Sequence, residues 1–552
     1  MKKIAFLLIP VLALVSCTKE FIERDPKGRG TDLTWFDTED QCRMAVNAIY
    51  DPLGWQTYYQ RNAEVLDMLS DEAEKGGSVV NVNNYSADQS EMYKMALYNA
   101  DPTNVVANNF WKTAYIIIAR ANLMINRTEA KENIPAYKAM RAEARFLRAF
   151  AYMDLVKMFG PVPLVTDVIS PLAAAGYGNR QYGSIENQIA ETYKFIVSEL
   201  EAIKGVLPNV QSGSNFGMVS DAAVRAYLAK AYLYQGDFQK AYTTARDLIG
   251  SGASLMSQYQ QVFNFDNIAN EGSISEIIFA VQYVNGTNDS RNYEGSIRVI
   301  DNSPRVTINA SGVAAENTAV GYGLVIPTKI LVSAFDATDP RLDMMAKSKE
   351  TAPSGVADSV YWDGRWQKIG KMANGLNTGN YTLKNFLNQA VFNGQSSGKD
   401  YILMRWAEVL LIGAEAAVRT GNTGDALIWV NQLRDRARNS KVIEKALTMD
   451  EWTFGTSAEP AALTAITITD VKKERQRELF CEAGTRYFDL LRWNATIDQD
   501  GDNIYADYVL ANLGNDVAGN PRTWNPARRG WFPININEIR AQGGSLVQNP
   551  GY

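Results

Sequence analysis

The strongest constraint on the fold of this chain is a helical pattern that is interrupted twice by the same kind of turn. In residues 221–249 apolar side chains recur at three- and four-residue spacings, and Gly236-Asp237 divides the stretch into two helices. Residues 401–419, a Gly-Asn-Thr-Gly turn at 421–424 and residues 425–436 repeat this design, with alanines near the turn. Small and large residues that alternate around such turns are typical of tetratricopeptide-like helical hairpins, because alanine allows helices to approach closely.

Helical periodicity extends well beyond these two hairpins, so the chain is predicted to be mainly α. The same spacing occurs in residues 39–50, 111–126, 136–159, 185–203 and 470–493. We expect hairpins that form one α-rich body, an α–α superhelix, with long loop-rich insertions. The predicted organisation is a single domain over residues 32–552, with a framework at about 35–250, 401–436 and 470–493, a loop-rich ligand-facing segment at about 252–398 and an irregular segment at 495–552.

The first residues are predicted to direct the chain to a membrane surface. Lys2 and Lys3 precede an apolar run over residues 4–15 that is too short to span a bilayer, and small residues then lead to Cys17. This pattern is typical of a bacterial lipoprotein signal peptide, although an ordinary secretory peptide remains the alternative. We expect residues 1–16 to be removed, Cys17 to be lipidated and residues 17–31 to form a flexible tether.

Composition excludes several classes of chemistry. The 552-residue chain has no histidine and three cysteines, so neither a histidine-based catalytic triad nor a four-cysteine metal site can form within it. The formal net charge of −6 disfavours binding to a nucleic-acid backbone, and no nucleic-acid partner is expected. Cys42 and Cys481 could pair outside the cytoplasm, or both could be buried free thiols.

The helix predicted at residues 470–493 carries a stripe of charges. Arg475, Glu478, Glu482, Arg486 and Asp489 recur at intervals of three and four residues. Two glutamates one turn apart could serve as the carboxylate pair of a glycosidase. Because each acid has a basic neighbour one turn away, the stripe is instead predicted to form structural ion pairs between packed helices.

A second charged stripe lies on the helix predicted at residues 136–159. Arg141, Arg145 and Arg148 share one face, and phosphate binding would suit them. We favour a structural role, in which they meet an acidic helix such as the one that bears Glu408 and Glu415.

One acidic segment resembles the beginning of a calcium-binding loop. Asp498, Asp500 and Asp502 alternate as calcium ligands do, but Asn503 stands where an EF-hand has glycine, and Val509 stands where it has glutamate. An intact EF-hand is therefore excluded. A solvated turn is expected, with a weak structural calcium site as the alternative, and no other cofactor is expected.

Aromatic and amide side chains in the irregular segments are the predicted ligand contacts. An aromatic ring covers the C–H face of a sugar, and amides satisfy its hydroxyl groups, whose burial without a partner is costly. No catalytic residue is expected. The predicted ligand-binding residues are Asn81, Asn83, Tyr85, Tyr283, Asn285, Tyr322, Trp362 and Trp366.

Several motifs in order resemble the SusD/RagB family of outer-membrane nutrient-binding lipoproteins. They follow the lipoprotein cysteine and cover nearly the whole mature chain. They are RAEARFLRAFAY at 141–152, FGPVPL at 159–164, YILMRWAEVLL at 401–411, ERQREL at 474–479, RYFDLLRW at 486–493 and QNPGY at 548–552. One departure is Cys-Glu-Ala-Gly at 481–484, where many members have an apolar residue followed by Glu-Gly.

The resemblance implies a non-enzymatic protein that is lipid-anchored in the outer membrane and exposed at the cell surface. Such proteins cover a TonB-dependent, SusC-like transporter and deliver captured glycans to it, or peptides in some members. The motifs belong to the framework, so the resemblance transfers no ligand contact to this chain. A peptide-capturing member, a carboxylate-based glycosidase and an assembly scaffold without a small ligand remain the alternatives.

Overall fold

The structure is a computed structural model, and it describes most of the helical framework together with parts of the insertions. The described residues are 35–81, 86–87, 89–169, 177–211, 215–249, 251, 254–263, 276–284, 295–302, 322–336, 338–345, 359–362, 365–368, 375–376, 382, 384–385, 397–440, 458–494, 505–516 and 519–552.

Helices dominate the described residues, as the hydrophobic periodicity predicts. The helices are α1 (Glu39–Tyr50), α2 (Glu64–Met68), α3 (Ser90–Ala96), α4 (Val105–Arg127), α5 (Pro135–Phe159), α6 (Ile185–Ile203), α7 (Asp221–Gln235), α8 (Phe238–Ile249), α9 (Arg298–Asn302), α10 (Lys329–Ser333), α11 (Trp406–Arg419), α12 (Thr423–Arg438), α13 (Ile468–Leu479), α14 (Thr485–Asn494), α15 (Tyr505–Asn512) and α16 (Ile536–Ala541). None of the helices in the described ranges is both long and apolar enough to cross a bilayer.

Short antiparallel strands supplement the helices. They are β1 (Ala73–Lys75), β2 (Gly77–Asn81), β3 (Ser86–Ala87), β4 (Ile277–Val281), β5 (Val325–Pro327), β6 (Ser359–Trp362), β7 (Arg365–Lys368), β8 (Gly375–Leu376) and β9 (Tyr401–Arg405). The strands pair as β1–β5, β3–β2–β8, β4–β9 and β6–β7. The pairs β1–β5, β2–β8 and β4–β9 each join strands that are far apart in the sequence. The β6–β7 pair is a local hairpin.

The two predicted hairpins form and pack against each other. α7 and α8 form the first hairpin, α11 and α12 form the second, and α8 lies against α11 although about 150 residues separate them. Ala226 and Ala229 of α7 and Ala241 and Ala245 of α8 are fully buried. Small side chains therefore allow the close helix packing that the alternating pattern predicts, and the mainly α, tetratricopeptide-like prediction is confirmed.

The predicted helix at residues 401–419 is wrong in its first five residues, which form β9. β9 pairs with β4, with Tyr401 opposite Val281 and Ile402 opposite Ala280. The side chains of Tyr401 and Leu403 are buried, as are those of Phe279, Ala280 and Val281 in β4. A partner strand more than 100 residues earlier satisfies this backbone, and a helix begins only at Trp406.

The predicted helix at residues 470–493 is also wrong in one respect, because a break at 480–484 divides it into α13 and α14. The N–H of Cys481 donates to Glu72 at 3.0 Å, and the N–H of Gly484 donates to Asp67 at 2.9 Å. Gly484 has φ +65°, and a Cβ there would lie 2.4 Å from Cβ of Leu66. Buried carboxylates from the α2 region thus replace helical hydrogen bonds at this point.

Candidate functional site

Glu478 lies at the centre of a buried network of ion pairs. Its carboxylate accepts from Arg405 at 2.8 Å, from Arg341 at 3.1 Å and from Arg436. The side chain of Glu478 has no exposed surface, and those of the three arginines are at most 3% exposed. The predicted structural role of Glu478 is thereby supported, with partners that come from three other parts of the chain.

The electrostatics of this network do not suit a glycosidase acid. Burial alone would raise the pKa of Glu478, but Arg436, Arg405 and Arg341 outweigh it and hold the pKa well below its usual range. Arg405 and Lys384 likewise outweigh burial and lower the pKa of the neighbouring Glu482. A general acid needs a raised pKa, and here both carboxylates stay ionised and fully paired.

The second arginine stripe has a different partner from the predicted one. Arg145 and Arg148 both donate to Glu199 of α6, at distances of 2.5–3.1 Å. They do not pair with the helix that bears Glu408 and Glu415, so this part of the prediction is wrong. Arg145 and Arg148 pair with Glu199 because α6 packs against α5 and places Glu199 next to the face of α5 that carries the arginines.

Some predicted positions lie outside the described residues. They are Cys17, Asn83, Tyr85, Asn285, Asp498, Asp500 and Asp502. Cys42 and Cys481, which the sequence left as either a disulfide or free thiols, are both free and buried.

Three separate stretches of chain meet around Gly76 and form what we call the strand face: residues 76–81, 322–324 and 375–376. The N–H of Gly76 donates to the carbonyl of Leu324 at 2.7 Å, and β2 pairs with both β3 and β8. A Cβ at Gly76 would lie 2.0 Å from the carbonyl oxygen of Gly323, so only glycine permits this approach. The strand face carries Asn81 on β2 and Tyr322, two of the predicted ligand contacts.

Tyr322 has an exposed side chain and a fixed backbone. Its side chain is 37% exposed, while its N–H donates to the carbonyl of Ile300 in α9 at 2.7 Å. The carbonyl of Asp301 accepts from Leu324 at the same distance. Two carbonyls of α9 thus hold the turn that presents Tyr322.

An ion pair ties α9 to the helical body. Arg61 donates to both carboxylate oxygens of Asp301, each at 2.8 Å, and Asp301 has no exposed side-chain surface. Sequence reasoning missed this anchor because its partners lie 240 positions apart. The available signal was an acidic residue directly after Val299 and Ile300.

Tyr283 does not present a surface for a ligand. Its side chain is 2% exposed within the hydrophobic core, and its N–H donates to Asp400 at 2.9 Å. The prediction that Tyr283 contacts a ligand is therefore not supported by its position, since a buried ring cannot stack on a sugar at the surface.

Trp362 and Trp366 lie on neighbouring strands of one hairpin. The register places Trp362 opposite Arg365 and Trp366 opposite Tyr361. Because facing positions share a side of a sheet and successive positions alternate, the two tryptophan positions lie on opposite sides of the hairpin. Each of the two positions therefore requires its own test.

A recess lined by aromatic rings lies elsewhere, between the C-terminal segment and the helical body. Its space, part of which is open to solvent, is about 340 Å³, and Tyr98, Tyr487, Trp524 and Tyr552 are among its lining residues. The hydroxyls of Tyr98, Tyr487 and Tyr552 all donate to backbone carbonyls. Since these groups are already used, the recess offers few partners for sugar hydroxyls, and we assign it to packing of the C-terminal segment.

The fold and the site define a class of protein in which a stack of helical hairpins supports a face built from short strands. Comparison with known proteins shows which family this chain belongs to. The profile described as "SusD family" matches residues 275–552, and one described as "Starch-binding associating with outer membrane" matches residues 63–233. The chain belongs to the SusD family, as its motifs predicted.

Individual relatives are similar over most of their length. "SusD-like protein P2" of Formosa agariphila is 28% identical over 576 aligned positions, covering 100% of this chain and 99% of that protein. Surface glycan-binding protein A from Bacteroides uniformis superposes with a TM-score of 0.70 at 23% identity, over 93% of this chain and 99% of that one. Surface glycan-binding protein A from Bacteroides thetaiotaomicron in complex with laminarihexaose gives a TM-score of 0.68 at 22% identity, over 92% and 99%. These structures establish that the fold is shared.

Proposed function

We propose that this protein is a cell-surface lipoprotein that binds an oligosaccharide at the strand face and delivers it to a partner TonB-dependent outer-membrane transporter. The observation that carries the proposal is membership in the SusD family. The description of the second matching profile, which names starch binding and outer-membrane association, supports it, as does the laminarihexaose complex of a protein with the same fold.

The strand face has the chemistry that such a ligand needs. The exposed ring of Tyr322 can cover one face of a pyranose, and Asn81 on β2 adds an amide that can both donate and accept. Asn83 and Tyr85, which follow β2 in the chain, extend the same combination in the proposal. Binding of this kind involves no covalent step, so the protein would not cleave its ligand.

Anchoring and delivery complete the proposal. Acyl chains on Cys17 would hold the protein at the outer membrane, and residues 18–31 would act as a tether. Radiolabelled palmitate should label the wild-type protein but not Cys17→Ala, and co-purification of the transporter should require intact cells or detergent-solubilised membranes. Labelling of Cys17→Ala would refute the anchor.

Affinity gel electrophoresis on laminarin and on soluble starch tests ligand binding directly. Tyr322→Ala should weaken retention by about 5- to 30-fold, which corresponds to about 1–2 kcal/mol of stacking. Trp362→Ala and Trp366→Ala are tested separately, because they lie on opposite sides of their hairpin. Tyr182→Ala is the matched control, since Tyr182 is 42% exposed and lies outside the strand face.

The outcomes of these gels separate the proposal from its alternatives. Equal retention of Tyr322→Ala and Tyr182→Ala would remove the strand face from the binding site. If neither polysaccharide retains the wild-type protein but the protein binds a peptide pool, it would be a peptide-capturing member of the family. Release of reducing ends would indicate a glycosidase.

A further inference from the structure

Arg61 joins the short helix α9 to the helical body and lies directly after a π-helical turn at Gln56–Gln60. Its Nε and Nη2 donate to the two carboxylate oxygens of Asp301, each at 2.8 Å. The Asp301 side chain has no exposed surface, whereas that of Arg61 is 22% exposed. A buried carboxylate is costly unless it is paired and hydrogen-bonded, and the planar fork of arginine supplies both donors in a fixed geometry. The guanidinium therefore both neutralises Asp301 and fixes its position.

Two further side chains of residues 60–64 hold the chain around α9. Nε2 of Gln60 donates to the carbonyl of Gly295 at 2.5 Å. Glu64 accepts from Nδ2 of Asn302 at 2.7 Å. Both of these side chains are buried, so the contacts are shielded from water. Of the three contacts, the ion pair alone is bidentate, so it restrains the orientation of α9 most strongly.

The restraint on α9 reaches Tyr322 through two main-chain hydrogen bonds. The carbonyl of Ile300 accepts the N–H of Tyr322, and that of Asp301 accepts the N–H of Leu324, each at 2.7 Å. Asp301 thus binds Arg61 with its side chain and the turn with its backbone. It connects the guanidinium directly with the turn that presents Tyr322.

The other side of this turn has a support of its own. The N–H of Gly76 donates to the carbonyl of Leu324 at 2.7 Å, and the Gly76 backbone lies tightly against Gly323. Loss of Arg61 should therefore loosen the turn and leave the pairing of β1 with β5 in place. The ring of Tyr322 would stay at the strand face but would sample more orientations.

We propose that Arg61 is a positioning residue of the strand face: by holding α9 through Asp301, it fixes the backbone of Tyr322 and orders the ring before a sugar binds. A ring that is already ordered loses less conformational entropy on binding, so the affinity is higher. Arg61 acts through Asp301 and need not touch the ligand. The inference rests on the proposed function for its ligand, whereas the restraint on Tyr322 can be measured without one.

Hydrogen–deuterium exchange of the free, full mature protein tests the restraint. In Arg61→Met, the peptide that contains residues 322–324 should exchange at least about fivefold faster than in wild type. Arg61→Lys keeps the charge but not the bidentate geometry, so it should show a smaller acceleration, and it carries the test if Arg61→Met does not fold. Unchanged exchange of this peptide in both variants would overturn the proposal.

Arg43→Met is the matched control. Arg43 of α1 donates to the two carboxylate oxygens of Glu143 in α5, at 3.0 and 2.8 Å. Its side chain is 34% exposed and that of Glu143 is 4% exposed, so a partly exposed arginine again pairs with a buried carboxylate outside the strand face. Arg43→Met should lower stability but leave ligand retention and the exchange of residues 322–324 unchanged. Losses of retention equal to those of Arg61→Met would indicate general destabilisation and would overturn the proposal.

A double-mutant cycle on affinity gels separates positioning from a merely structural role. Arg61→Met should weaken polysaccharide retention by about 3- to 10-fold in the wild-type background, but by less than about twofold in the Tyr322→Ala background. Equal weakening in both backgrounds would overturn the proposal, as would unchanged retention of Arg61→Met where Tyr322→Ala is weakened. If neither polysaccharide retains the wild-type protein, the proposed function fails, and the exchange measurement alone decides whether Arg61 orders Tyr322.

Discussion

At the scale of single residues, buried charges are kept in the core by partners from distant parts of the chain. Arg405 illustrates the arrangement, because it donates to Glu276, Glu478 and Glu482 at 2.7–2.9 Å. The alternation of signs around Glu478 was enough to predict structural ion pairs. It could not identify Arg341 as a partner, because that pairing spans 137 positions of sequence and depends on tertiary packing.

Removal of the charge of Glu478 should be strongly destabilising. Glu478→Gln leaves three buried arginines without their shared anion, and breaking a buried pair of this kind costs about 3–5 kcal/mol. Urea denaturation should show this loss in the free energy of unfolding. Glu191→Gln, which breaks the exposed pair with Lys194, should cost less than about 1 kcal/mol, and equal losses would contradict the account.

Asp400 should make stability depend on pH in the opposite sense from an ordinary ion pair. Burial raises its pKa from 3.8 to about 7, despite the hydrogen bond from the N–H of Tyr283. The folded state therefore holds this proton more tightly than the unfolded state. The resulting stability is complete below pH 3.8 and is lost as pH rises towards and through 7.

Asp400→Asn should remove this dependence. The free energy of unfolding of the variant, relative to wild type, should increase between pH 4 and pH 8 by up to about 4 kcal/mol. Denaturant titrations at several pH values measure the difference, with Asp247→Asn at an exposed position as the control. Parallel curves for wild type and Asp400→Asn would show that Asp400 does not titrate as described.

At the scale of elements, helices begin where the sequence predicts when a capping residue next to the helix fixes the boundary. α1 and α6 occupy the predicted residues, because Thr38 and Ser184 accept N–H groups from the first turn of each helix. The predictions failed at β9 and at the break after Leu479, where the deciding partners are β4 and two carboxylates near α2. A helical period in the sequence gives no information about such distant partners.

The break between α13 and α14 should be sensitive to an added methyl group. Gly484→Ala forces a side chain into a backbone with φ +65° and within 2.4 Å of Leu66. We expect a loss of about 2–4 kcal/mol in unfolding free energy, measured by chemical denaturation. Gly424→Ala is the matched control, because its Cβ would have no atom within 4 Å, and it should be neutral or slightly stabilising.

At the scale of the whole molecule, we propose that the helical hairpins form the framework and that the strand face binds the ligand. The two hairpins and the close packing of helices within each were predictable, because the turn residues and the small residues at the helix contacts lie near one another in the sequence. The strand face was only partly predictable. Asn81 and Tyr322 were predicted as ligand contacts from residue type alone, and they stay predictions. The meeting of residues 76–81, 322–324 and 375–376 depends on strand pairing across up to about 300 positions.

Hydrogen–deuterium exchange with and without the retained polysaccharide tests this division of tasks most directly. We expect ligand-dependent protection in β2, β3 and β8 and in the turn at residues 322–324, with no change in α7, α8, α11 and α12. Protection confined to those four helices, with an unchanged strand face, would contradict it.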